Sequence, residues 1–259
     1  MKKLLILLTQ ANVALSSILC VDCMKRFITI LFIISQYLLG QFPSYDLSAV
    51  PGSNFVAAVE PLVRSTSFSL GYHQFSEPDL TRRFSVSVSA AVGNDLTGRS
   101  FSGNSIFGLP IIHGALLVTE NLKINGIFGG FTSDNDVLEY SGYGFSLSLS
   151  EDDTSQWVAD LSVAKMDGPR HLHCRTVDVS ISKASLFKTF PFYFGFGNNQ
   201  YTSRIFHLGD GEIPEKISGS ANYMLLGKII SFSSWSIGTQ ARINNKLTQF
   251  SLSLHKSFN

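Results

Sequence analysis

From about residue 53 onward the chain alternates apolar and polar residues with a period of two, the signature of strands with two unlike faces. Phe68, Leu70 and Tyr72 alternate with Ser67, Ser69 and Gly71, and Phe84, Val86, Val88, Ala90 and Val92 with Ser85, Ser87, Ser89 and Ala91. The pattern recurs over residues 143–149, 157–163, 177–181, 235–241 and 250–258. Turn formers punctuate it at Glu77-Pro78-Asp79, Gly93-Asn94-Asp95, Ser133-Asp134-Asn135-Asp136, Glu151-Asp152-Asp153, Asp167-Gly168-Pro169, Gly209-Asp210-Gly211 and Asn244-Asn245. No window after residue 42 carries convincing helical spacing. The prediction is an all-β chain of roughly ten to twelve strands at hairpin spacing.

The segment ahead of these strands follows another logic. Met24-Lys25-Arg26 is basic, Phe27 through Leu39 is almost unbroken apolar sequence, and Gly40, Gln41 and Phe42-Pro43-Ser44 restore polar, turn-rich character. That is the order of a secretory signal peptide, and the apolar run is shorter than the roughly 20 residues of a spanning helix. Residues 1–41 are therefore expected to be a signal peptide and 42–259 a single β-barrel domain. A second export-like start behind Met1-Lys2-Lys3 makes Met24 the expected initiator. A lipoprotein reading of Cys20 meets bulky Leu19 where a small residue is wanted. Cleavage near Gln41 leaves Cys174 without a partner, so no internal disulfide forms, and Cys20-x-x-Cys23 is neither a redox nor a zinc site.

Composition decides which face looks where. Hydrophobic residues make up 44% and charged ones 15%, against about 25% charged in ordinary soluble chains. The net charge of +1 gives no reason to expect nucleic acid. A soluble sheet needs Lys, Glu, Arg and Thr on its wet face. Here that face is Ser, Gly and Asn, which suits an enclosed lumen, with the apolar face turned to lipid. Lipid in turn demands that every backbone polar group be paired, as only helices and closed barrels achieve. The expected fold is a closed antiparallel transmembrane β-barrel, with Tyr140, Trp157, Tyr201, Phe232 and Trp235 as interfacial girdle candidates.

Two local signals add to this. Phe190-Pro191-Phe192-Tyr193-Phe194-Gly195-Phe196-Gly197 places aromatics where rings can cover bare glycine backbone. The last residues, Ser253-Leu254-His255-Lys256-Ser257-Phe258-Asn259, alternate up to a nearly terminal aromatic. With these features residues 42–259 resemble the uncharacterised, porin-like outer-membrane β-barrels of Gram-negative bacteria. The resemblance implies an outer-membrane location, lipid as surroundings, and assembly machinery that engages the C-terminal strand. Asn259 after Phe258 departs from that strand's pattern.

No constellation names a reaction. His171, His173 and Cys174 could hold a metal only with a further ligand. Ser residues lie near His73, His113, His207 and His255, but no Gly-x-Ser-x-Gly elbow exists. Gly126-Ile127-Phe128-Gly129-Gly130 is followed by no helix and is not a phosphate loop. The acidic turns at 133–136 and 151–153 lack the twelve-residue calcium pattern. Arg82-Arg83, Arg170 and Arg175 could line a pore mouth or contact lipid head groups. The sequence thus assigns no catalytic, cofactor or metal residue and leans away from an enzyme. It favours a passive small-solute pore or a structural surface protein. The rivals are a barrel-embedded lipid hydrolase, which needs a Ser–His pair in hydrogen-bond reach at a strand end, and a soluble secreted or periplasmic β-sandwich.

Overall fold

The computed structural model describes residues 45–48, 50–71, 83–96, 106–133, 136–152, 155–185, 192–206, 213–232 and 234–258. The signal-peptide expectation for 1–41 lies outside them, as do Glu77-Pro78-Asp79, Gly209-Asp210-Gly211, Arg82, His73 and His207. Among the described residues ten strands pair antiparallel and close into one barrel. They are β1 (Phe84–Asp95), β2 (Ile106–Leu117), β3 (Leu122–Ser133), β4 (Asp136–Asp152), β5 (Ser155–Asp167), β6 (Leu172–Ser185), β7 (Phe192–Ile205), β8 (Lys216–Phe232), β9 (Trp235–Ile243) and β10 (Leu247–Phe258). Each strand pairs with the next, and β1 closes on β10 with Phe84 opposite Phe258. Closure leaves no sheet edge along that seam, which an open sheet would have to protect.

The alternation maps onto the two faces of this wall. Phe84, Phe145 and Leu147 are 46%, 44% and 43% exposed, whereas Ser85, Ser87, Ser89, Ser180, Ser182, Ser251 and Ser253 are buried inside. The apolar side chains therefore share no dry centre, and a β-sandwich is ruled out as the fold. Gly93-Asn94-Asp95, expected as a turn, is instead the end of β1. Asp167-Gly168-Pro169 and Asn244-Asn245 are turns, and Gly168 adopts φ 110° where its backbone passes Val137.

One expectation fails. Residues 55–70 form an α-helix, α1 (Phe55–Leu70), preceded by a 3₁₀ turn at Gly52–Asn54. Phe68 and Leu70 are helical, not strand, residues. The helix touches β1, β2 and β10 on one side and β5, β6, β7 and β8 on the other, so it lies inside the barrel. Its apolar residues Phe55, Val59, Leu62 and Val63 recur at helical spacing, a signal masked by Pro61 within the run and by the period-two stretch after it. Every residue from Pro61 to Leu70 is buried, serines included, and the wall gives Ser67 and Ser69 polar partners.

The thread has a direction. Asp46 lies beside His171, in the β5–β6 turn, at the rim called distal here. The chain then descends through α1 to Gly71 in mid-lumen, and β1 starts at the opposite, terminal rim, where β10 also ends. The N-terminal segment and the C-terminal strand thus occupy opposite mouths.

Four lumen-facing tyrosines lie on glycines directly across the ladder: Tyr140 on Gly129, Tyr193 on Gly227, Tyr201 on Gly219 and Tyr223 on Gly197. This is ring-over-glycine packing, with Phe192-Tyr193 and Gly195–Gly197 supplying two of its members. A Cβ at Gly197 or Gly227 would sit inside the opposing ring, whereas one at Gly114 would meet nothing. Gly197→Ala and Gly227→Ala should each lower stability by about 1–3 kcal/mol. Gly114→Ala should be neutral; urea midpoints of the refolded protein in detergent decide between the two expectations.

Candidate functional site

The site is the contact between the helix and the wall. A helix C-terminus leaves unpaired carbonyls with partial negative charge. Here the wall supplies a cation: Arg242 of β9 donates from one guanidinium nitrogen to Phe68 O at 3.3 Å and from the other to Gly71 O at 3.0 Å. Arg242 is 1% exposed and needs a counter-charge, which Asp178 of β6, fully buried, provides at 3.6 Å. Its guanidinium also lies 4.8 Å from the Tyr223 ring centre and 5.6 Å from that of Phe68. Phe68 meets Tyr223 edge-on at 5.0 Å.

Asp178 is fully occupied. It accepts from the Tyr223 hydroxyl at 2.5 Å and from Asn199 Nδ2 at 2.8 Å. Asn199 Nδ2 also donates to Thr176 Oγ1 at 2.9 Å, and Asn199 Oδ1 accepts from Ser67 Oγ of the helix at 2.7 Å. Gln249 of β10 donates to Ser69 at 2.9 Å. The lower end of the helix is thus held by β6, β7, β9 and β10, through charge-assisted bonds shielded from water.

The upper end is held by apolar packing. Tyr45, Leu47, Val50, Phe55 and Val59 pack with Leu138, Met166, Leu172, Cys174, Ile205 and Ile217 of the distal wall. The Tyr45 hydroxyl bonds Thr66 Oγ1 at 2.9 Å, and burial pushes that phenol's pKa up. At the rim, hydrogen bonds from Ser48 hold the Asp46 carboxyl below the usual carboxylate range, with His171 Nε2 at 3.6 Å adding to the effect.

The residues singled out from sequence fare differently. His171 caps the mouth and bonds Phe206 O at 3.0 Å. His173 faces outward beside Asp167 at 3.6 Å and against the Phe206 ring, while Cys174 is buried in the lumen. The trio is split, and among the described residues no group of His, Cys, Asp and Glu is arranged for a metal. Among the described residues two Ser–His pairs form: Ser89 Oγ with His113 Nε2 at 2.9 Å and His255 Nε2 with Ser257 Oγ at 3.2 Å. The first sits in mid-strand with Ser89 only 2% exposed; the second links residues i and i+2 at the end of β10. A hydrolase also needs preorganised oxyanion donors and room for substrate at the hydroxyl.

Gly126–Gly130 belongs to β3, with Gly129 under Tyr140. Arg170 pairs with Asp136 across two neighbouring turns at 3.3 Å; Arg83 and Arg175 are exposed. The side chains of Glu151 and Asp152, like those of residues 133–135 and 153, lie outside the described ones. Trp157 and Trp235 face outward as girdle residues should, beside Lys183 at 5.4 Å and Lys256 at 4.9 Å. Tyr140 and Tyr201 do not: both point into the lumen, because each covers a glycine. The Phe232 side chain lies outside the described residues. Asp178, Asn199 and Arg242 were missed, although a charge on a Ser-lined strand face was visible at Asp178 and Arg242.

Removing one partner of a buried ion pair strands the other, at a cost of about 3–5 kcal/mol. Arg242→Met should therefore destabilise strongly and free the C-terminal half of α1 for proteolysis. Arg242→Met combined with Asp178→Asn should recover much of the loss. Paired urea titrations of the two single variants and the double one test this.

No family model matches the chain, and no curated protein does. Solved structures give remote likenesses. The translocator domain of the autotransporter NalP from Neisseria meningitidis shares 8% identity over 83% of this chain and all of its own, with a TM-score of 0.46. An outer membrane channel from Pseudomonas putida F1 shares 9% over 71% of this chain and all of its own, at 0.43. A loop-deletion mutant of OmpT, an outer membrane protein of Vibrio cholerae, shares 10% over 58%, at 0.33, and this chain spans about half its length, 54%. The strand ladder itself makes this chain a closed ten-stranded antiparallel β-barrel among the described residues, with its own helix in the lumen.

Proposed function

We propose that this chain is an outer-membrane β-barrel of the structural, surface-exposed kind, with its lumen occluded by its own helix. The observation that carries the reading is a bounded apolar belt. On β5 to β8 outward residues are mainly apolar from the terminal rim to a common level, Lys228 excepted, and polar beyond it. The change falls at Val163 to Lys165 on β5, Val177 to Arg175 on β6, Phe196 to Asn198 on β7 and Met224 to Asn222 on β8. On the terminal side Trp157 with Lys183, and Trp235 with Lys256, close the belt as aromatic and snorkelling residues do at an interface. Six steps from Trp157 to Val163, at about 3.3 Å each along a strand tilted by roughly 40°, give a belt roughly 15 Å high before its flanks are added.

Outer-membrane location, lipid surroundings and docking of β10 by assembly machinery follow as parts of the same reading. The terminal rim then faces the periplasm and the distal rim the exterior, so residues 45–54 lie on the outer side. Passage of small solutes requires the helix to leave, and the Arg242 clamp opposes that.

Two measurements test this. In planar bilayers the wild type should show few or no discrete openings, while deletion of residues 55–71 should produce steady conductance. Steady wild-type conductance would overturn the occlusion. On intact cells Asp46→Cys should react with a membrane-impermeant maleimide and Ser257→Cys should not. The reverse labelling would overturn the orientation, and recovery of the protein in the soluble periplasm without detergent would overturn the membrane assignment.

A further inference from the structure

The barrel wall has a notch. β8 pairs with β9 only from Met224, opposite Ile243, onward to Phe232. Above Met224, residues 216–223 pair with β7, and no strand among the described residues lies on their other side, because β9 has already turned through Asn244–Lys246 into β10. The notch opens just above the level where the outer face changes from apolar to polar.

A groove of about 1080 Å³ runs through it, the size of a site for a sizeable ligand. Its lower part is the exposed apolar surface of Val179, Ile181, Phe196, Met224 and Ile243. Directly above stands a shelf of asparagines, one on each of three successive segments. Asn198 donates to Asn222 Oδ1 at 2.6 Å, and Asn244 bonds the Asn222 carbonyl. Above the shelf are Lys246 and, seen through the notch, the helix residues Arg64 and Glu60, paired at 3.1 Å. The three charged groups sum to one positive charge: two cations and one carboxylate.

We propose that this groove binds one acylated, phosphate-headed lipid, its chain along the apolar lower part and its head group on the asparagine shelf beneath Lys246. The proposal rests on the membrane reading above, since the surrounding leaflet is what delivers such a molecule. A chain lying on Phe196 and Met224 stays in hydrocarbon. The ester and glycerol oxygens meet amide donors at the level where lipid itself turns polar. The phosphate meets the net positive charge beyond. A neutral sugar would leave the apolar half uncovered, and an uncharged lipid would leave the positive charge unmatched. The site also ties the lipid to the helix, because Arg64 and Glu60 belong to α1 while Lys246 belongs to the wall.

The test is native mass spectrometry of the full chain in detergent, with phosphatidylglycerol or phosphatidylcholine added. The wild type should retain one phosphatidylglycerol, about tenfold more than phosphatidylcholine. Lys246→Glu should abolish that preference. Ser220→Trp, which fills the notch at an exposed position, should lose the bound lipid while heat-modifiable gel mobility still reports a folded barrel. Equal retention of the two lipids by the wild type, or undiminished retention by folded Ser220→Trp, overturns the proposal. Both results are read in detergent, so they are separate from failure of the membrane assignment, which fractionation reads.

Discussion

The width of the lumen governs this structure. Ten strands enclose more space than eight, and eight are just enough for side chains to fill. Much of this wall is lined by small Ser, Gly and Ala, which leaves room beside its tyrosines and distal apolar residues. The helix that occupies it is about 10–12 Å across with its side chains. An empty dry channel would forfeit dispersion contacts on both sides, so a helix from the same chain fills it. The small residues that the alternation sends inward are therefore the reason α1 has a place to be.

Filling the lumen creates an electrostatic problem that the wall solves. A helix ending in mid-lumen exposes carbonyls where water is scarce, and Arg242 satisfies those of Phe68 and Gly71. A buried guanidinium costs more than it returns unless it is paired and hydrogen-bonded, and Asp178 with Tyr223 and Asn199 meets that condition. The same tyrosine covers Gly197, so one ring supports the ladder, the carboxylate and the cation together. Opposite this polar clamp, the distal end relies on apolar packing around Phe55 and Leu138. The helix is thus held by unlike means at its two ends.

Much of the fold was legible in the chain. The period-two pattern of β1, β4, β6 and β10 located strands and assigned their faces, because a one-residue slip would reverse every side chain and the pattern leaves no such freedom. Trp157 and Trp235 face outward, as their place on the apolar parity of their strands leads one to expect. Tyr140 and Tyr201 lie on the inward parity of their strands, where each ring covers a glycine of the neighbouring strand instead of meeting an interface. Asp178, Asn199 and Arg242 were invisible as a site because they come from three strands, and only the helix end inside the lumen brings them to one point.

Helix α1 marks the boundary between the two kinds of information. Its first half carries helical spacing in Phe55, Val59 and Leu62, yet its second half, Ser65 to Leu70, alternates like a strand. Local sequence could not choose, since an amphipathic signal presupposes one wet and one dry face and this helix is enclosed all round from Pro61 onward. By itself the sequence determined alternation, hence strands, hence an apolar outside and a polar inside, because side-chain direction in a strand is fixed by backbone geometry. Closure, the occupied lumen and the Arg242 clamp were decided only by tertiary structure, because each depends on contacts between residues more than a hundred positions apart.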